Sequence, residues 1–186
     1  VPVLWDRQNE TIVNNESSEI IRMLNREFDA WGRADLDYYP EPLRSDIDAI
    51  KEMVYANVNN GVYRCGFAGS QEAYEKAYDA LFTTLDLLEG RLGRQRYLVG
   101  ETLTEADWRL FSTLLRFALA YYGLFRCNRQ RLVDFPNLWG YARELYQHTG
   151  VSETVDFEAF KRIYWSRTGL IPKGPRMDWS EPHARD

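Results

Sequence analysis

Apolar and polar positions change rhythm twice along the chain. Residues 1–6 (VPVLWD) and 11–14 (TIVN) are short apolar runs joined by a polar five-residue stretch, Asp6–Glu10, a pattern that predicts two strands in a hairpin. Pro2 has no N–H to give a ladder, so it marks an edge, a bulge or a tight turn, and an X-Pro bond there is open to the cis form. From Ser17 the spacing turns helical. Ser17 reads as the N-cap, and Ile20, Ile21, Leu24 and Phe28 fall on one face. The stretch 32–42 (GRADLDYYPEP) breaks that period and predicts a linker.

Everything after it reads as helix. A helix is expected over 44–59, stopped by Asn59, Asn60 and Gly61. A long one follows over 70–92, with Ala73, Ala77, Leu81, Leu85, Leu88 and Leu92 in a stripe and Gly93 as its stop. Tyr97–Gly100 is a short extended connector. Thr104 and Asp107 then form a capping box stapled by Leu103, and Leu110, Leu114, Phe117 and Tyr121 continue one face. Pro136 opens a helix through Tyr146, and Asp156 caps another through about residue 164. The tail from Pro172, rich in proline and charge, is expected to lie over the surface. Two strands do not make a stable sheet alone, so the first segment reads as the back half of a small α/β domain.

Composition narrows the function classes. Of the 186 residues 45% are hydrophobic, 27% charged and 15% aromatic, a globular balance with an aromatic share that favours broad apolar or stacking surfaces. The net charge of −5 offers no basic excess for nucleic acid. No apolar run approaches the roughly 20 residues that span a bilayer. The two cysteines, Cys65 and Cys127, do not suggest a disulfide framework and fit a reducing cytoplasm. His148 and His183 lack metal-ligand spacing, and no metal site is expected.

The order strand with Pro, strand, Glu-Ser, helix, linker and helical domain with Thr104-x-x-Asp107 resembles a glutathione transferase cut inside its thioredoxin-like domain. VPVLWD, TIVNNESSEIIRMLN, NNGVYRCGFAGSQEAYE, RYLVGETLTEADWRLF and GPRMDWSEPHARD are similar to the Xi-class members, the glutathionyl-hydroquinone reductases, which are Omega-like. The likeness implies an α+β chain. Residues 1–31 would be the C-terminal part of a thioredoxin-like domain, 32–42 a linker, 43–171 an all-α glutathione-transferase C-terminal domain, and 172–186 a tail.

It also implies roles. Val1 and Pro2, at the family's cis-Pro position, would meet the cysteinyl part of glutathione, and Glu16 and Ser17 its γ-glutamyl end. That fits their chemistry: a carboxylate accepts from an ammonium group, and a hydroxyl and N–H at a helix start donate to a carboxylate. From the residues alone, Ser17 is equally a plain N-cap and Glu16 a first-turn acid complementing the helix dipole. Tyr63 and Tyr164 match the tyrosines that line the family's acceptor site, where a phenol donates to a quinol oxygen; without that match they read as ordinary core tyrosines. Tyr121, Tyr122 and Trp165 are further candidate pocket aromatics. The pattern departs around Tyr164, where the family's two flanking histidines are replaced by Ile163 and Arg167 and its Asn-Pro loop is shortened. The family's nucleophilic cysteine, in a Cys-Pro-Trp-Ala motif, would lie upstream of Val1, so no catalytic residue is assigned in this chain. Arg64 beside Cys65 leaves that thiol as a substitute to be examined.

The implied activity is glutathione-dependent reduction of glutathionyl-hydroquinones by a cytoplasmic homodimer. Glutathione would be co-substrate and an aromatic quinol conjugate the partner, with no metal. Two alternatives stand beside it: a noncatalytic dimerisation or binding module, and an ordinary glutathione-conjugating transferase.

Overall fold

The computed structural model describes residues 2–168 and 178–183. The chain forms two compact units, Val1–Ser45 and Asp46–Asp186.

The first unit holds an antiparallel hairpin of β1 (Leu4–Asp6) and β2 (Thr11–Asn14), with Trp5 opposite Ile12, Asp6 opposite Thr11 and an irregularity between Leu4 and Trp5. The Asp6 carboxylate builds the turn by accepting from the N–H groups of Gln8 (2.8 Å) and Asn9 (3.0 Å) and from the Asn9 amide (2.8 Å). Pro2 precedes β1, so its missing N–H costs no ladder bond.

Helix α1 (Ser17–Arg26) is capped by Glu16, not by the expected Ser17. The Asn14 side chain accepts the Glu16 N–H at 2.7 Å and sets Glu16 in extended geometry, from which its carboxylate accepts the Ser18 N–H at 3.1 Å. Ser17 is thereby the first helical residue. Phe28 lies beyond the helix end, and of the expected apolar face Ile20 is buried whereas Leu24 is exposed. One helix on two strands has no second layer to bury the rest, and Trp5, Ile12, Val13 and Trp31 are also exposed. The stretch 32–42 is held to α1, with Asn25 donating to Asp37 (2.8 Å) and accepting from Tyr38 N–H (2.9 Å) and with the Arg22 guanidinium over the Tyr39 ring.

The second unit is helical. Helix α2 (Arg44–Val54) does not stop at the Asn-Asn-Gly signal. It widens into a π-helical turn, Tyr55–Asn59, and resumes as α3 (Gly61–Gly66). The reason is Asn59, whose amide reaches across 50 residues to the Arg109 carbonyl (2.7 Å) and across 54 to the Thr113 hydroxyl (2.8 Å), so a residue that usually ends helices serves here as a cross-link. Helix α4 (Gln71–Leu92), capped by Ser70, buries Ala77, Leu81, Leu85, Leu88 and Leu92, while Ala73 at its start is exposed. Gly93 ends it in ordinary right-handed geometry; what needs glycine is the Asn137 amide, 3.1 Å from where a Cβ would stand.

Helix α5 (Glu105–Arg116) begins at the expected capping box, and the box is deeply buried. The Asp107 carboxylate accepts from the N–H groups of Leu98 (2.9 Å) and Thr104 (2.8 Å), the Thr104 hydroxyl (3.0 Å) and the Tyr141 hydroxyl (2.9 Å). Helix α6 (Pro136–Gln147) has its first N–H groups satisfied from α4, since Glu89 accepts from Asn137 (2.9 Å) and Leu138 (2.8 Å). Helix α7 (Phe157–Trp165) is capped by Asp156. The expectation of a purely superficial tail fails at Trp179. Its ring is buried against Trp139, Tyr146 and Phe157, and Gln147 donates to the Trp179 and Glu181 carbonyls, both at 2.7 Å.

Replacing Asp107 with alanine strands four buried donors at once. At roughly 1 kcal/mol or more each, we expect the chain to lose about 4 kcal/mol or more. Tyr141→Phe removes one donor and its partner contact, and should cost about 1 kcal/mol. Urea unfolding followed by circular dichroism orders the two; equal losses would show that the four-donor site is not the controlling feature.

Candidate acceptor site and glutathione cradle

Three tyrosine hydroxyls meet in the helical unit. Tyr63 on α3 lies 2.7 Å from Tyr164 on α7 and 3.1 Å from Tyr121, and Tyr121 lies 2.9 Å from Tyr164. Tyr121 closes a second π-helical turn, Phe117–Tyr121, that continues α5, as Tyr63 follows the first. Each wide turn shifts the residues after it by a fraction of a turn, and such turns recur at functional sites. The Phe125 ring packs beside all three, 5.4 Å from Tyr63, 5.4 Å from Tyr121 and 6.1 Å from Tyr164. Gly66 is required there, because a Cβ would stand 2.4 Å from the Phe125 ring. Trp165 donates its indole N–H to the Leu119 carbonyl (2.8 Å), which pins α7 to the second π turn.

The cluster is made to donate. Burial raises the Tyr121 phenol far above its ordinary range, and hydrogen bonds from Tyr164 and Tyr63 raise it further. Burial likewise raises Tyr164. Tyr121 and Tyr164 therefore keep their protons at neutral pH. An incoming anionic or quinol oxygen can draw a hydroxyl hydrogen of the cluster outward while the remaining hydroxyls stay bonded to one another.

The structure brings together Tyr63 and Tyr164, as expected for one pocket, and adds Tyr121 as an equal third member. The sequence reading had Tyr121 only as a packing candidate, because its place on the apolar face of α5 gives no sign that its hydroxyl is used. Tyr122 makes none of the cluster's ring contacts, and Trp165 acts through its backbone partner.

In the first unit, Glu16 and Ser17 sit exposed at the start of α1. The Glu16 carboxylate accepts from Ser18 N–H and lies 3.4 Å from the Ser17 hydroxyl and 3.2 Å from that of Ser18. Asn14 and Glu19 flank it, 2.5 Å apart. This is a solvent-facing helix start with a carboxylate, two hydroxyls and an N–H, suited to the charged end of an amino acid. Pro2 is exposed; Val1, and with it the Val1–Pro2 peptide, lies outside the described residues.

Cys65 and Cys127 are free and wholly buried. Contact with Cys127 is the first cause that lowers the Cys65 thiol, and the same contact, with burial, raises Cys127. Neither sulfur has exposed surface at which a glutathione conjugate could meet it. His148 packs edge-on against Trp108. Among the described residues no group of His, Cys, Asp and Glu could hold a metal, and no helix is long and apolar enough to cross a membrane.

Residues 71–144 match the family model for the glutathione S-transferase C-terminal domain. The chain is 50% identical over 192 residues to the glutathionyl-hydroquinone reductase YqjG of Escherichia coli, covering 100% of this chain and 58% of that protein. The chain carries a glutathione S-transferase C-terminal domain. Its fold matches the glutathione-bound structure of YqjG with a TM-score of 0.96 at 49% identity, over 100% of this chain and 62% of the other. It matches an Xi-class glutathione transferase from Natrialba magadii with a TM-score of 0.93 at 44% identity, over 100% and 58%. The chain thus spans less than two thirds of the length of these relatives.

The raised phenols set an alkaline limit. The folded state holds protons that the unfolded chain releases near pH 10, so stability falls as pH rises beyond that point. Ultraviolet titration at 295 nm should show tyrosines that ionise only as the fold is lost, and Tyr121→Phe should lower their number. Full ionisation of all twelve tyrosines with the fold intact would contradict the site's electrostatics.

Proposed function

We propose that the protein carrying this chain reduces glutathionyl-hydroquinones to hydroquinones at the expense of glutathione. The observation that carries this reading is the triangle of tyrosine hydroxyls, in a chain half identical to a glutathionyl-hydroquinone reductase. Glu16 and Ser17, together with Val1 and Pro2, hold the glutathionyl part, with Glu16 taking the ammonium group and Ser17 the carboxylate. Tyr63, Tyr164 and Tyr121 hold a quinol oxygen.

The reaction needs a thiolate that attacks the conjugate's sulfur. A sulfur–sulfur bond forms and the sulfur–ring bond breaks. Its electron pair stays with the ring, which takes up a proton and leaves as hydroquinone. A second glutathione thiolate then attacks the glutathionyl sulfur of that mixed disulfide, releasing glutathione disulfide and returning the first attacking group as a thiolate. The buried Cys65 and Cys127 cannot supply the attacking thiolate, which in this reading comes from a segment preceding Val1. The complete protein is a cytoplasmic homodimer in the same reading. A phenol donating to the departing ring favours this chemistry over simple conjugation, where the glutathione thiolate itself must be activated.

The 186-residue chain, mixed with a glutathionyl-hydroquinone and glutathione, should release no hydroquinone above the buffer rate. Extended upstream by a segment bearing Cys-Pro-Trp-Ala, it should turn over, and Tyr63→Phe or Tyr164→Phe in that longer protein should lower kcat about tenfold, the loss of one good transition-state hydrogen bond. Chromatography of released hydroquinone reads both. Turnover by the short chain that disappears in Cys65→Ser, or tyrosine variants with full kcat, would overturn the reading.

A further inference from the structure

Beside Tyr63 the surface opens into a groove of about 470 Å³ lined by Asn60, Tyr63, Arg64, Phe67, Ala73 and Lys76. Its floor is apolar. Phe67 is 73% exposed, although its ring lies 6.2 Å from that of Tyr63 and 5.2 Å from that of Phe125, so one side is anchored and the other is offered to solvent. Ala73 is the residue of the α4 stripe that turned out exposed, and its small side chain leaves the floor open. The walls are cationic. Arg64 stands one residue from Tyr63 on α3, and Lys76 one turn beyond Ala73 on α4, both exposed.

Most other basic residues of this unit are engaged: Arg96 with Glu144, Arg129 with Asp86, Arg131 with Asp134, Arg143 with Glu181 and Lys161 with Glu158. Neither Arg64 nor Lys76 has a carboxylate within 4.0 Å among the described residues, and Glu72 and Asp79, one helical turn to either side of Lys76, do not pair with it. Two unpaired cations over an exposed aromatic floor, in a chain whose net charge is −5, form a local inversion of sign.

We propose that this groove is a specificity subsite for an anionic substituent on the aromatic acceptor, an aryl carboxylate in preference to a neutral ring. The proposal rests on the assignment of Tyr63 to the acceptor site. The ring lies against Phe67, and its carboxylate meets Arg64 and Lys76, with the Asn60 amide available as a further donor.

Two quinols of like size separate charge from shape: 2,5-dihydroxybenzoate and methylhydroquinone. Each is titrated into the isotopically labelled 186-residue chain at low salt, and the amide shifts of residues 60–76 are followed. The carboxylate should bind about fivefold more tightly, the combined size expected of two exposed charge contacts, and the preference should vanish in Arg64→Gln/Lys76→Gln and fade at high salt. Equal affinity, shifts outside the groove, a preference that survives the double variant, or equal shifts from glutathione itself would overturn the subsite. Carboxylate binding in the groove together with no effect of Tyr63→Phe or Tyr164→Phe on methylhydroquinone would instead count against the acceptor-site assignment and leave an aryl-carboxylate site standing.

Discussion

One buried carboxylate organises the helical unit. Asp107 lies at the N-terminus of α5 with no exposed surface, and its two oxygens collect donors from three places: the turn around Leu98, its own cap at Thr104 and the middle of α6 at Tyr141. Burial alone pushes the acid above the ordinary carboxylate range, and each of those donors pulls it back down. An acid taken out of water is tolerated only where its partners are fixed, and fixing them aligns α5 with α6. Glu89 repeats the device on α4, where it caps the start of α6 from another helix.

From that frame the π turns place the chemistry. Helix α5 leaves its cap in ordinary register and widens at Phe117–Tyr121; α2 does the same at Tyr55–Asn59 before α3. Asn59 ties the first widening to α5 at Arg109 and Thr113, so both distortions belong to one packed pair. The two turns bring Tyr121 and Tyr63 within 3.1 Å, although 58 residues separate them. Gly66 then lets Phe125 close against the ring faces.

Much of this was legible in the residues, and the failures have physical causes. Period and capping chemistry are local, so the hairpin, the Thr104–Asp107 box, the Pro136 start, the Asp156 cap and the buried stripe of α4 could all be read directly. Asn59-Asn60-Gly61 misled because a stop signal assumes that the asparagine bonds locally, whereas Asn59 bonds to a helix 50 residues away. Ser17 gave way to Glu16 because Asn14 had already fixed the backbone one residue earlier. Trp179 was hidden by its polar, proline-rich surroundings, which carry no trace of the three aromatic residues that receive it. Tyr63 and Tyr164 were reached only through family likeness, and Tyr121 had to wait for the meeting of hydroxyls.

The seating of Trp179 has a consequence for how this fold can vary. Helix α7 is fastened at its far end by Trp165 on Leu119, and the chain is fastened again where Trp179 stacks on Phe157 and Tyr146. Change at Trp179 and change at the phenols are thereby separated. Trp179 steadies α7 through Phe157 at its first residue, whereas Tyr164 sits in the last turn, beside the indole that bonds to Leu119. A substitution that loosens the first contact leaves the second in place, so the seat of Tyr164 is buffered against it.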